Sequence, residues 1–188
     1  MPAPDPAQLG PLAALVGTWE GDQGLDVSFH NADKQVGETP YRERTVFNAF
    51  GPVENGGQVL FGLDYRTAAW RAGEEDPFHT EVGYWLWDAA AGQVMRCFMV
   101  PRGSTILAGG PATATSRSFT MSAEVGSESY GILSNLYLAQ MARTVHYHCT
   151  ITIGDDDTFS YDETTTVQLK RFDAPFAHTD RNTLRRIG

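Results

Sequence analysis

The 188-residue chain is poor in cysteine, in positive charge and in long apolar runs, and each shortage removes a class of protein. Its two cysteines, Cys97 and Cys149, are too few for a disulfide framework and form no CxxC pair for redox chemistry or metal. A reducing, cytoplasmic setting is therefore expected. Lys and Arg number 14 against 23 Asp and Glu, a net charge of -9, which argues against nucleic acid or an anionic membrane as partner. The opening MPAPDPAQLGPLAALVG has an apolar patch, but no Lys or Arg precedes it and Pro11 interrupts it, so it reads as neither signal peptide nor spanning helix. GxSxG elbows and phosphate loops are missing too.

What the sequence has in quantity is alternation. From Thr144 to Ile153, Val145, Tyr147, Cys149, Ile151 and Ile153 fall on one face, and Thr144, His146, His148, Thr150 and Thr152 on the other. That is a strand with one buried face. Gly154-Asp155-Asp156-Asp157 then turns the chain into a second such run, residues 158–169, making a hairpin. Similar runs cover residues 18–29, 41–50, 58–71, 79–88, 93–100, 104–108 and 112–124. Nine or ten antiparallel strands without strong helices between them must hide their edges by closing into a barrel or stacking as a sandwich, and a closed β-barrel is the favoured reading. The expectation is a single all-β domain over residues 1–188, with residues 1–11 as a loose tail. Short helices are expected at three places: residues 11–16, where Gly17 would stop the turn that plugs one barrel end; residues 132–141; and the tail 179–187, from its Thr-Asp cap and closing arginines.

Several candidate residues read in more than one way. Four tryptophans, Trp19, Trp70, Trp85 and Trp87, each carry a large apolar body with one donor. Trp85 and Trp87 share one strand face, Tyr84 and Leu86 the other, and the pattern leaves open which pair looks inward. Met95, Cys97 and Met99 read as core or as the wall of an adaptable apolar pocket. His79 and Glu81, at i and i+2, can pair on one strand face. His146 and His148 form an HxH pair on a face shared with threonines and read as solvated, and His30 reads as turn surface. Arg42, Arg44, Arg66 and Arg96 read as surface cations, although one of them would have to be buried to hold a fatty-acid carboxylate.

Three motifs carry a resemblance. Gly17-Thr18-Trp19-Glu20-Gly21, with Gly24 close behind, resembles the GxWxGxG opening of the nitrobindins, the haem-binding branch of the fatty-acid-binding-protein-like (calycin-type) barrels. Pro77-Phe78-His79-Thr80-Glu81-Val82-Gly83-Tyr84 is similar to the family's P-x-H-x-E-x-G-Y strand, and His178 stands where nitrobindins carry the proximal haem ligand. The resemblance implies a ten-stranded barrel holding haem b in a wide cleft, with His178 on the iron, His79 beside the cleft, and Trp19, Gly21 and Tyr84 as further binding residues. It also implies that Trp19 closes the barrel bottom. Three functions follow as expectations: haem binding, haem-dependent isomerisation of peroxynitrite, or haem-free carriage of a fatty acid or small hydrophobic metabolite. The partner is a small hydrophobic ligand, and a homodimer is left open as the assembly.

Overall fold

The computed structural model describes residues 4–188. Residues 1–3 of the expected loose tail lie outside the described residues, and from Pro6 the rest of that tail is docked. Pro6–Leu15 form a 3₁₀ segment, kinked at Gly10, whose φ of 54° suits a residue without a side chain. Leu9, Leu12 and Leu15 are fully buried in it. A side chain at Gly10 would strike the Trp87 indole, so the bare backbone lets this plug seat against the barrel wall.

Eleven strands follow: β1 Gly17–His30, β2 Gln35–Asn55, β3 Gln58–Arg71, β4 His79–Asp88, β5 Gln93–Val100, β6 Ser104–Pro111, β7 Ser118–Val125, β8 Gly131–Ser134, β9 Ala142–Ile153, β10 Thr158–Leu169 and β11 Phe176–Arg186. They close into one barrel in the order β1-β11-β10-β9-β7-β8-β6-β5-β4-β3-β2. Closure leaves no bare edge to aggregate, which answers the problem set by so many alternating runs. The pairing is antiparallel except where the short β8 lies parallel to β7, with Glu124 opposite Gly131.

Two helical expectations are corrected. The tail is strand β11, the stave between β1 and β10, and not a helix. His178, Asp180, Asn182 and Leu184 alternate inward along it, and burial at period two overrides the cap-like Thr179-Asp180 start. Arg185 and Arg186, read as helix-ending charges, instead pair with Asp156 and Asp157. The segment 132–141 divides into β8 and a single short helix, α1 Leu136–Met141, capped by the Asn135 side chain on the Leu138 amide. Ile132 is taken by the sheet, while no residue of α1 is buried.

The plugged end holds an aromatic floor. The Trp19 indole donates to the Leu15 carbonyl at 2.7 Å, meets Phe159 edge-on at 4.9 Å, and carries the Arg186 guanidinium 4.3 Å above its ring. Arg186 also donates to the carbonyls of Ala14 and Val16, tying the floor to the plug. In β4, Trp85 and Trp87 point inward, and Val82 and Tyr84 outward. In β5 the inward set is Val94, Arg96 and Phe98. The Met95-Cys97-Met99 stripe is therefore the outer face, neither core nor pocket wall, with Met99 54% exposed.

Candidate functional site

Three tiers fill the barrel above the floor. The lowest is apolar, with Phe47 packed on Tyr65, Trp85 and Phe159 at 5.6–6.0 Å. The middle tier is a belt of buried polar side chains. The top is a cavity of about 670 Å³ at the end opposite Trp19.

Arg96 organises the belt. Its guanidinium is ion-paired with Glu81 and reaches Glu163 at 2.8 Å, while its Nε donates to the Tyr65 hydroxyl at 3.2 Å. Tyr65 donates to Glu81 at 2.9 Å and Tyr147 to Glu163 at 2.7 Å. Burial pushes Glu81 up, but Arg96 and His79 outweigh it and hold the carboxyl well below its ordinary value. Sequence reading placed Arg96 among the surface cations. It is buried, because β4/β5 register sets it opposite Trp85 on the inner face.

A second chain of bonds runs from Asp180 to the barrel interior. Asp180 is hydrogen-bonded to the Tyr41 hydroxyl, which lies 2.6 Å from that of Tyr161, and the Tyr161 hydroxyl is hydrogen-bonded to Glu43 at 2.7 Å. Three bonds here need three protons and the two phenols supply only two. One of the two carboxyls must therefore carry the third. Burial pushes Glu43 up, and burial with the charge of Glu163 raises Asp180 to about 7, in keeping with a shared proton. The Tyr41 ring lies flat over Gly24, where a side chain would collide with it. Gly24 thus has a packing role. Asp22 and Gln23 fall in the irregular stretch of β1 and are exposed.

The cavity is framed by the late half of β1, the starts of β4 and β11, the end of β5 and β10, and α1. Its apolar wall includes Phe29, Phe98, Ile106, Val167, Leu169 and Phe176. His79 and His178 both line it, so the two imidazoles singled out from the sequence share one space. His178 lies in β11, not before a helix, with Nε2 2.5 Å from Asp26 Oδ2; Ser28 donates to the other Asp26 oxygen at 2.6 Å. Burial works against a charged His178, yet the bond to Asp26 raises its pKa, and the same pair lowers Asp26 despite its own burial. His79 Nε2 stands 3.6 Å from Glu81 Oε2, an ion-pair distance that matches the expected i, i+2 pairing.

Three other sequence candidates lie elsewhere. Trp19 and Gly21 do not line the cavity: Trp19 is in the floor, and Gly21 packs against Asn182 and the Thr183 carbonyl. Tyr84 is on the outer surface, 52% exposed and edge-on to Phe50 at 5.5 Å, because inward alternation selects Trp85 and Trp87. Conversely His30, read as turn surface, lies on the cavity rim within 3.3 Å of Thr39 Oγ1. His146 and His148 fall on the face of β9 opposite the buried Tyr147 and Cys149. Asp26, Asp180 and Glu163 went unsingled in the sequence. The signal was their place in phase with apolar inward residues, but a carboxylate in that phase reads equally well as a strand slipped by one.

Comparison with known proteins agrees with this geometry. The family model described as THAP4-like, heme-binding beta-barrel domain matches residues 8–186. The crystal structure of Rv2717c from M. tuberculosis superposes with a TM-score of 0.67 at 20% identity, covering 98% of this chain and 99% of that one, a likeness of fold. A search of curated proteins by sequence found no match. With a closed barrel, a wide cavity lined by His30, His79 and His178, and a family match spanning nearly the whole chain, the protein belongs to the THAP4-like haem-binding β-barrel domain family.

Proposed function

We propose that the upper cavity holds haem b, with His178 as the protein ligand to iron. The observation that carries this is one apolar-walled space of about 670 Å³ with an imidazole already held by a buried carboxylate. The volume falls in the range of about 300–1,000 Å³ typical of sites for compact organic ligands. The donor set fits the group. With Nε2 on Asp26, His178 keeps Nδ1 for a metal, and the carboxylate behind it fixes the ring and raises its basicity. Aromatic and aliphatic walls exclude water from a porphyrin face, and Arg71 and Arg102 on the lining offer cations to its propionates. Haem, once bound, supplies an iron centre with ligand-exchange and redox chemistry.

The fatty-acid reading finds no support in the same geometry. The interior arginine that such a carrier would use, Arg96, is already occupied by Glu81 and Glu163. No helix among the described residues is long and apolar enough to cross a membrane, and the two free thiols suit a reducing cytoplasm. The outward strip Val82, Tyr84, Met99 and Leu107 supports a homodimer, which light scattering checks.

Titration of the purified protein with hemin, followed by absorption, tests the haem site. A Soret band that shifts and weakens on His178→Ala, with His79→Ala retaining five- or six-coordinate binding, is the expected result. Identical spectra for wild type and His178→Ala would remove His178 from the iron.

A further inference from the structure

We infer that His79 is an imidazolium that donates a hydrogen bond to an anionic oxygen of the cavity's guest, a carboxylate or a small inorganic oxyanion, rather than a second iron ligand. The inference shares the cavity with the haem reading, but its charge argument stands without haem.

The charges of the buried belt do not balance without His79. Glu81 and Glu163 are two carboxylates facing one guanidinium, Arg96. Each carboxylate uses one oxygen to take two donors, Arg96 and Tyr65 on Glu81 Oε1, and Arg96 and Tyr147 on Glu163 Oε2. Both therefore act as acceptors, as ionised groups do. One guanidinium against two carboxylates leaves a negative charge in excess, and of the two carboxylates Glu81 is the more deeply buried, at 6% side-chain exposure against 19% for Glu163, so it gains most from a second cation. Glu81 Oε2, the oxygen left over, faces His79 Nε2 at 3.6 Å.

Among the described residues no arginine or lysine is paired with Glu81 Oε2. The charged groups acting on His79 are acidic: Glu81 on its own strand, Glu163 on β10 and Asp180 on β11. Arg71 on the cavity wall is paired with Glu74 and stacked on Phe78. Burial works against protonation of His79, but Glu81 overcomes it and the pKa is raised. Charged imidazole has no lone pair for a metal. Its second N–H makes no hydrogen bond to protein among the described residues, and the side chain is 38% exposed where the cavity meets the belt. That N–H is a charge-assisted donor awaiting an acceptor. His178 differs in its bonding: Nε2–H can stay on Asp26 while the Nδ1 proton is released to solvent, and a metal cation taking Nδ1 would replace the charge that Asp26 faces.

The test begins on the ligand-free protein. Nitrogen NMR of ¹⁵N-histidine-labelled protein at pH 7 should show both His79 ring nitrogens protonated, with its proton affinity falling at least tenfold in Glu81→Gln. Sodium nitrate and sodium acetate should each move the His79 ring signals. A His79 ring that is singly protonated at pH 7 in the wild type and unmoved by either anion overturns the inference, and this needs no variant to fold.

A second arm separates the sources of the anion, comparing hemin with hemin dimethyl ester on wild type and His79→Leu. If a propionate is the guest group, hemin loses about tenfold to hundredfold in affinity on His79→Leu and the ester does not. If a small oxyanion is the guest, both haem forms bind the variant as they bind wild type, while nitrate affinity falls by that factor. Loss of both effects refutes the inference. Should hemin fail to bind any form while nitrate still moves His79, the haem reading fails and the imidazolium stands.

Discussion

Removing the arginine at the centre of the polar belt tests how the barrel interior is held. Arg96→Met keeps the length and apolar stem of the side chain but leaves Glu81 and Glu163 without their shared guanidinium. Breaking a buried pair by deleting one partner costs about 3–5 kcal/mol, since the remaining charge is neither solvated nor paired. For a domain of this length each kcal/mol is worth about 2–4 °C in midpoint, so a fall of roughly 6–20 °C is expected by thermal unfolding. The loss should shrink as pH falls towards about 5. Without Arg96 the carboxyls have raised values in the folded state, so their penalty is present above those values and is relieved as they take up protons. Replacing Glu81, Arg96 and Glu163 together by Leu, Met and Leu should cost less than Arg96→Met alone, because it removes the stranded charges as well. A loss under about 1 kcal/mol for the single variant, or a triple variant that is no better, would refute the belt as described.

The Asp26–His178 pair gives a pH signature. Asp26 is lowered from 3.8, so its contribution is present above that value and is lost as pH falls through the depressed one; His178 is raised from 6.5, so its contribution is full below that value and fades as pH climbs through the raised one. Wild type should thus exceed Asp26→Asn in stability chiefly between about pH 4 and 6.5, by roughly 1 kcal/mol given the solvent screening of a side chain 36% exposed. A difference that is flat from pH 4 to 9 would contradict the pairing. Gly83→Ala should destabilise strongly, because its Cβ would run into the Cys97 carbonyl of the neighbouring strand; denaturant unfolding checks it against Gly56→Ala, whose site is open but strained at φ 60°. Tyr84→Ala, on the outer face, should change hemin affinity less than twofold in the same titration that reports His178→Ala.

Much of the barrel could be read from alternation alone. Tyr147, Cys149 and Ile151 are buried as their phase requires, and the chain turns at Gly154–Asp157 where the sequence breaks. Trp19 closes the floor as the resemblance implied. The readings that did not hold share one physical cause. Met95-Cys97-Met99 looks more apolar than Val94-Arg96-Phe98, yet the latter faces inward, because Arg96 meets two carboxylates from β4 and β10 that are distant in sequence. A charge in the inward phase is only intelligible once its counter-charge is known. The same holds for β11, whose Thr-Asp start and terminal arginines match a helix locally until β1 and β10 supply the hydrogen bonds that make it a strand.

The period-two staves, the turns between them, the excess of acid and the two histidines worth following were all legible in the order of residues alone. They were so because alternation and turn chemistry are local properties of the chain. That His79 and His178 line one cavity, that Asp26 and Glu81 stand behind them, and that Arg96 bridges two carboxylates in the belt below became visible only in the folded barrel. Those facts depend on register between strands far apart in the chain, and register is fixed by closure of the whole barrel rather than by any one strand.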